Sequence, residues 1–191
     1  MWKPLILAAF AFVLASSGAI SGHAHAANFP PQINAGEHRL VLNGEGARTK
    51  AFIELYEAAL YLTQPSNNAT EIIKGNQAMA IRIKITSGFV SQKSLVDSLE
   101  EGFKSASGGD ASKIRKQIQD FRKCFREDIA KGDIFDLVYL PTHGVIVNKN
   151  GKLKGVVAGA EFKQALFSIW LSDKPADATL RRALLTTSKL R

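Results

Sequence analysis

Three observations predict an α+β fold with helices packed against a largely antiparallel sheet. Between Ala78 and Thr86 the chain alternates Ile81, Ile83 and Ile85 with Arg82, Lys84 and Thr86, the period of a strand with one wet face. Two stretches carry apolar residues at helical spacing, one with Leu95, Leu99 and Phe103, the other with Ile114, Ile118, Phe121 and Phe125. Finally, Asn150-Gly151 stands between two β-rich runs, the strongest short-range hairpin signal.

Taken in order, residues 28–37 contain Asn28, two prolines and Gly36 and read as an irregular lead-in. A strand starts over His38 to Leu42, and Asn43-Gly44-Glu45-Gly46 supplies glycines for a bend or bulge. From Ala47 to Thr63 the β-formers and small apolar residues read as one strand. Pro65 to Asn68 is a turn, and Ala69 to Lys74 a short helix ended by Gly75. The strand from Ala78 follows, then a helix from Ser91, the Gly108-Gly109 break and a helix from Asp110. A second β block covers Ile134 to Leu140 and Gly144 to Val157, interrupted at Pro141 and at Asn150-Gly151. Glu161 to Leu171 is a helix that ends before Pro175, because the residue preceding proline disfavours helical backbone. A last helix starts near Asp177 and runs through Leu180, Ala183, Leu184 and Leu185.

The N-terminus reads as a secretory signal. Lys3, the apolar run from Leu5 to Ala15 and the small-x-small site Ala24-His25-Ala26 are its three parts. A membrane anchor needs about 20 apolar residues, and Ser16, Ser17 and Gly18 interrupt this run earlier. Cleavage after Ala26 leaves residues 27–191 as one domain, exported to the periplasm or beyond, with no further segment apolar enough to span a bilayer. Loss of Lys3 takes the formal charge from +8 to +7. The densest basic run, Lys113 to Arg126, alternates with apolar positions as a solvated helix face does, and no aromatic-interleaved stretch suggests nucleic acid. Asn68-Ala69-Thr70 matches a glycosylation acceptor, relevant only in a host that glycosylates exported chains.

Several chemistries are excluded by composition. Cys124 is the lone cysteine, so no internal disulfide forms, and its place between Phe121 and Phe125 favours a buried thiol over a reactive one. With only His38 and His143 left after the signal, a His or Cys metal cluster is not expected. No Gly-x-Ser-x-Gly elbow or Gly-Lys-Ser/Thr phosphate loop occurs. Gly44-Glu45-Gly46 begins a dinucleotide fingerprint, but Thr49 occupies the third glycine's place and no βαβ unit follows. The carboxylate pairs Glu100-Glu101 and Glu127-Asp128 read as surface charge near helix ends. No cofactor is expected.

Two segments carry a resemblance. Leu42-Asn43-Gly44-Glu45-Gly46-Ala47-Arg48-Thr49-Lys50, followed by Tyr56 and Ala59-Leu60-Tyr61-Leu62, resembles the first signature of the chalcone isomerase-like family, in particular its bacterial exported branch. The run from Gly159 through Trp170 to Asp173-Lys174-Pro175-Ala176-Asp177 resembles that branch's closing helix and turn. The likeness spans roughly residues 38–186. It implies an open-faced sandwich, a curved and mainly antiparallel sheet with helices on one face.

Enzymes of that family close a flavanone ring by intramolecular addition, with an arginine stabilising charge on the substrate oxygen. Arg48 matches that arginine by position, and its planar fork suits an enolate, phenolate or carboxylate. Other members bind fatty acids through the arginine and a tyrosine. Where the enzymes carry a threonine before the Tyr-Leu pair this chain has Tyr56, and it lacks several residues between Arg48 and that point. The resemblance therefore favours a non-catalytic binder of a small acidic, apolar ligand. Arg48 is the anion anchor, Tyr56 a donor, and Phe52 and Tyr61 are neighbours in a cleft lined by apolar side chains. The alternatives are an isomerase of the chalcone type on a conjugated enone, with Arg48 as the catalytic residue, and an envelope factor that binds a protein and has a filled cleft. An internal salt bridge for Arg48 and a core role for Tyr56 form the plainer account. In one straight strand the two lie about 27 Å apart at roughly 3.3 Å per residue, so a shared ligand requires a bend.

Overall fold

The computed structural model describes residues 29–106 and 110–187. The expected signal segment and the Gly108-Gly109 break lie outside them.

Seven strands form one sheet in chain order, each antiparallel to the next: β1 (Gln32–Ala35), β2 (His38–Lys50), β3 (Ile53–Leu62), β4 (Met79–Ile85), β5 (Ile134–Leu140), β6 (Gly144–Lys149) and β7 (Lys152–Val157). The helices are α1 (Ala69–Lys74), α2 (Gln92–Ala106), α3 (Arg115–Arg122), α4 (Ala160–Leu171) and α5 (Ala178–Leu184). A curved antiparallel sheet with helices on it is the expected fold class.

Sequence and structure part in four places. The lead-in is not wholly irregular, because Gln32–Ala35 pairs with His38–Val41 as β1. The run from Ala47 to Thr63 is not one strand. It reverses at Ala51 and Phe52, both with positive φ, so that Lys50 faces Ile53. No Gly or Asn marks that turn, so the sequence pattern gives no sign of the reversal. The helix expected from Asp110 is split, with α3 flanked by 3-10 turns at Ser112–Ile114 and Lys123–Phe125. On β4 the face expected to be wet is half-covered: Arg82 makes a two-pronged bond to its cross-strand partner Asp136, with Nε to Oδ1 at 2.6 Å and Nη2 to Oδ2 at 3.2 Å.

The Asn150-Gly151 turn forms as expected, both residues with positive φ. Asn68 caps α1 by accepting from the Glu71 amide, and Asp177 caps α5 by accepting from Thr179 and Leu180.

The main core lies between sheet and helices. The inward residues Ala58, Leu60, Ile81, Ile83, Phe135, Leu137 and Val147 meet Leu99, Phe103, Phe121, Phe162, Leu166 and Trp170. Phe103, Phe121 and Phe162 touch edge-on or tilted at centroid distances of 5.4–5.9 Å. A smaller cluster on the opposite face joins Phe29, Leu40, Tyr61, Ala80 and Leu140. No helix among the described residues is long and apolar enough to cross a membrane.

Candidate functional site

The site begins at the β2–β3 hairpin. Reversal at Ala51-Phe52 makes Arg48 and Tyr56 direct cross-strand partners. The separation of one straight strand becomes a cross-strand contact, with the Arg48 guanidinium carbon 5.8 Å from the centre of the Tyr56 ring. Tyr56 is 3 % exposed, and its hydroxyl accepts the indole N–H of Trp170 at 2.9 Å. Burial pushes the Tyr56 phenol above its ordinary range, although the charge of Arg48 and the Trp170 bond oppose it. The phenol is therefore neutral, and it lies beneath Arg48 without lining the cleft that opens beside that arginine.

Arg48 itself is half-buried and makes no ion pair within 4 Å among the described residues. The internal salt bridge considered from sequence is absent in that sense, whereas Tyr56 does belong to the core. Beside Arg48 opens a cleft of about 320 Å³ formed by the end of β2, one side of α2 and the turn before α5. Lys50 and Lys174 add positive charge to it, Ser98 and Ser105 add hydroxyls, and Glu101 is its carboxylate. The lining is mostly polar, contrary to the apolar cleft expected. The apolar interior beyond it is occupied by the phenylalanine cluster of α2, α3 and α4.

The other two expected residues are elsewhere. Phe52 sits on the hairpin turn, fully exposed and pointing away from the fold. Tyr61 is five residues beyond Tyr56 on β3, so the two-residue period puts it on the opposite face. There it is buried and its hydroxyl donates to the Pro30 carbonyl at 2.8 Å. Neither lines the Arg48 cleft.

Sequence reasoning missed two partners. Trp170 stands in the family-like closing helix, and nothing in the sequence shows that it holds the Tyr56 hydroxyl. Lys163 is 1 % exposed and donates to the carbonyls of Ile72, Ile73 and Gly75 at 2.7–2.9 Å, tying α4 to the end of α1. Its signal was available: Lys163 shares one helical stripe with Leu166, Phe167 and Trp170.

The glycines before Arg48 serve packing. A Cβ on Gly44 would collide with the Ala183 carbonyl oxygen and come within 2.7 Å of the Leu184 oxygen. Between Leu42 and Gly44 the register shifts, and Asn43, fully buried, gives its amide to the Leu184 carbonyl and accepts the Ser66 N–H, each at 2.8 Å. Asp177, the α5 cap, also accepts the Thr49 amide at 3.4 Å. Helix α5 is thereby pinned along β2 next to Arg48. Elsewhere, larger open space of about 690 Å³ lies along α1 at the far end of β3. No group of acidic, His or Cys residues among the described ones could hold a metal.

An antiparallel seven-stranded half-barrel with helices on one face is the fold of the chalcone isomerase-like class. The chain belongs to the chalcone isomerase-like family, whose model matches residues 21–186. Among solved structures it is similar to the crystal structure of an Arabidopsis thaliana fatty-acid binding protein, with a TM-score of 0.67 and 19 % identity over 83 % of this chain and 91 % of that one. No curated protein matches.

Proposed function

We propose that this chain is an exported, non-catalytic member of its family that binds a small acidic, partly apolar molecule of the fatty-acid class by its carboxylate. The observation that carries this reading is the half-buried Arg48, which makes no ion pair within 4 Å among the described residues, lies over a buried tyrosine and opens into a cleft with two further cations and one carboxylate, Glu101. Arginine's fork takes a carboxylate through two parallel hydrogen bonds. The fold shared with a plant fatty-acid binding protein supports the ligand class.

Against a catalytic role, the Tyr56 hydroxyl is engaged by Trp170 and held above its ordinary range, which suits a fixed donor better than a proton shuttle. Export is supported by the pattern of Lys3, the apolar run and Ala24-His25-Ala26.

Native mass spectrometry of the protein from its own compartment, beside Arg48→Ala, tests this, followed by titration with octanoate and palmitate. An acid-sized adduct lost in the variant is the expected result. Equal adducts in both chains, or none with either acid, would refute the carboxylate site.

A further inference from the structure

The described residues expose five large apolar side chains: Phe52, Ile53, Phe89, Leu153 and Val156. The first four lie at one rim of the sheet. That rim consists of the β2–β3 turn, the loop from β4 to α2, the segment before β5 and the β6–β7 turn. Thr86 ties the second of these to the first, its amide donating to the Leu55 carbonyl at 3.2 Å. The fifth, Val156, lies towards the opposite rim, one residue before the end of β7, where it pairs with Ile146.

Phe52 carries the most information. It is 103 % exposed, and both it and Ala51 hold positive φ, at 65° and 49°. Left-handed backbone disfavours side chains with a Cβ, and a turn of this kind ordinarily takes Asn-Gly. A strained turn that holds a phenylalanine wholly in solvent contributes nothing to packing. Lys50, two residues before it, is exposed and makes no ion pair within 4 Å among the described residues.

The charges of the rim are asymmetric. Lys50, Arg126, Lys131 and Lys152 are exposed and make no ion pair within 4 Å among the described residues. Of the carboxylates there, Glu127 is held by Lys154 at 2.6 Å and Asp133 by Lys149 at 2.9 Å, which leaves Glu54 and Asp128 to oppose those cations.

We propose that this rim docks on an anionic lipid bilayer, with Phe52 and Phe89 entering the headgroup boundary and the unpaired cations meeting lipid phosphates. Apolar side chains beside lysines are the combination that binds such a surface, by buried area together with charge attraction. The inference stands whether or not the Arg48 cleft takes a carboxylate. If it does, Lys50 belongs to both, and the cleft opens beside the docked rim.

The test is co-sedimentation with vesicles of phosphatidylcholine, alone or with about one third phosphatidylglycerol. The chain used starts at Ala27, so the apolar run at 5–15 plays no part, and residues 29–187 carry the whole described fold. Sedimentation with the anionic vesicles only, released by high salt, is expected. Phe52→Ser with Phe89→Ser should weaken it about tenfold or more, from the two apolar areas removed. Ala51→Asn with Phe52→Gly places the favoured residues in the turn. It should weaken binding while keeping or raising the melting temperature, which separates docking from folding. Absent sedimentation, or sedimentation indifferent to both variants, overturns the proposal. So does light scattering that shows a dimer dissolved by Phe52→Ser with Phe89→Ser, since the rim would then join two copies of this chain.

Discussion

The indole N–H of Trp170 on α4 is hydrogen-bonded at 2.9 Å to the hydroxyl of Tyr56 on β3, both side chains at most 3 % exposed. That bond links the closing helix to the hairpin that presents Arg48. It fixes the phenol oxygen on one side, while the arginine covers the ring.

Tyr56→Phe removes the acceptor and leaves the Trp170 N–H buried without a partner. The expected cost is about 1–3 kcal/mol of stability, measured by chemical denaturation. Tyr56→Phe combined with Trp170→Phe should cost less than the sum of the two single changes, because the second removes the orphaned donor.

Arg48→Ala should leave stability within about 1 kcal/mol of the parent, since the side chain is half-buried and abandons no carboxylate within 4 Å among the described residues. Affinity for a carboxylate ligand should fall by about 1.5–3 kcal/mol, the worth of a hydrogen bond to a charged group. Arg48→Lys keeps the charge without the fork and should fall between the two. Calorimetric titration reads all three.

The sheet and its helices were legible because their signals are local. Ile81, Ile83 and Ile85 alternate, Leu95, Leu99 and Phe103 recur every four residues, and Asn150-Gly151 marks its own turn. The β2–β3 turn was not legible, since Ala51 and Phe52 adopt a backbone that their side chains disfavour. That single missed reversal hid the pairing of Arg48 with Tyr56. It also misplaced Phe52, which points into solvent, and the imperfect alternation across the turn concealed that Tyr61 faces away from Tyr56. Of the residues named from the family likeness, Arg48 and Tyr56 come together because the chain reverses between them and a register shift between Arg48 and Thr49 sets Tyr56, rather than Leu55, opposite Arg48.

Gly44→Ala should be severe. The clash is with backbone oxygens of Ala183 and Leu184, which no rotamer change relieves, so α5 must move off β2 and the Asn43 bond to Leu184 lengthens. A loss of about 3 kcal/mol or more follows from overpacking and a disrupted buried hydrogen bond. Thermal unfolding should show a large fall in melting temperature. Gly151→Ala, where nothing lies within 4 Å of the added carbon, bears only the cost of its positive φ.

Cys124 lies against Gly155 in the core, and burial pushes its thiol up. In the native protein it should react with a disulfide reagent far more slowly than after denaturation, because the thiolate is both scarce and covered. Equal rates in the two states would contradict the packing around it.

Lys163 offers a pH signature. Its ammonium donates to three carbonyls, lies 5.2 Å from the Tyr139 ring centre and has no carboxylate within ion-pair distance among the described residues. Burial pulls its pKa down from 10.5 to about 8. Below pH 8 folded and unfolded chains both hold this proton. Between about 8 and 10.5 the unfolded chain holds it more often, so the folded state gains stability as pH rises through that window. The gain is limited to about 3 kcal/mol by the size of the shift. Lys163→Met has no such proton to release. Urea denaturation at pH 7.5 and pH 10 should therefore show the difference between parent and Lys163→Met moving in favour of the parent at the higher pH. A difference that stays constant would mean that the three carbonyls and the end of α1 hold the ammonium charged throughout, as a fixed cationic clasp between α1 and α4.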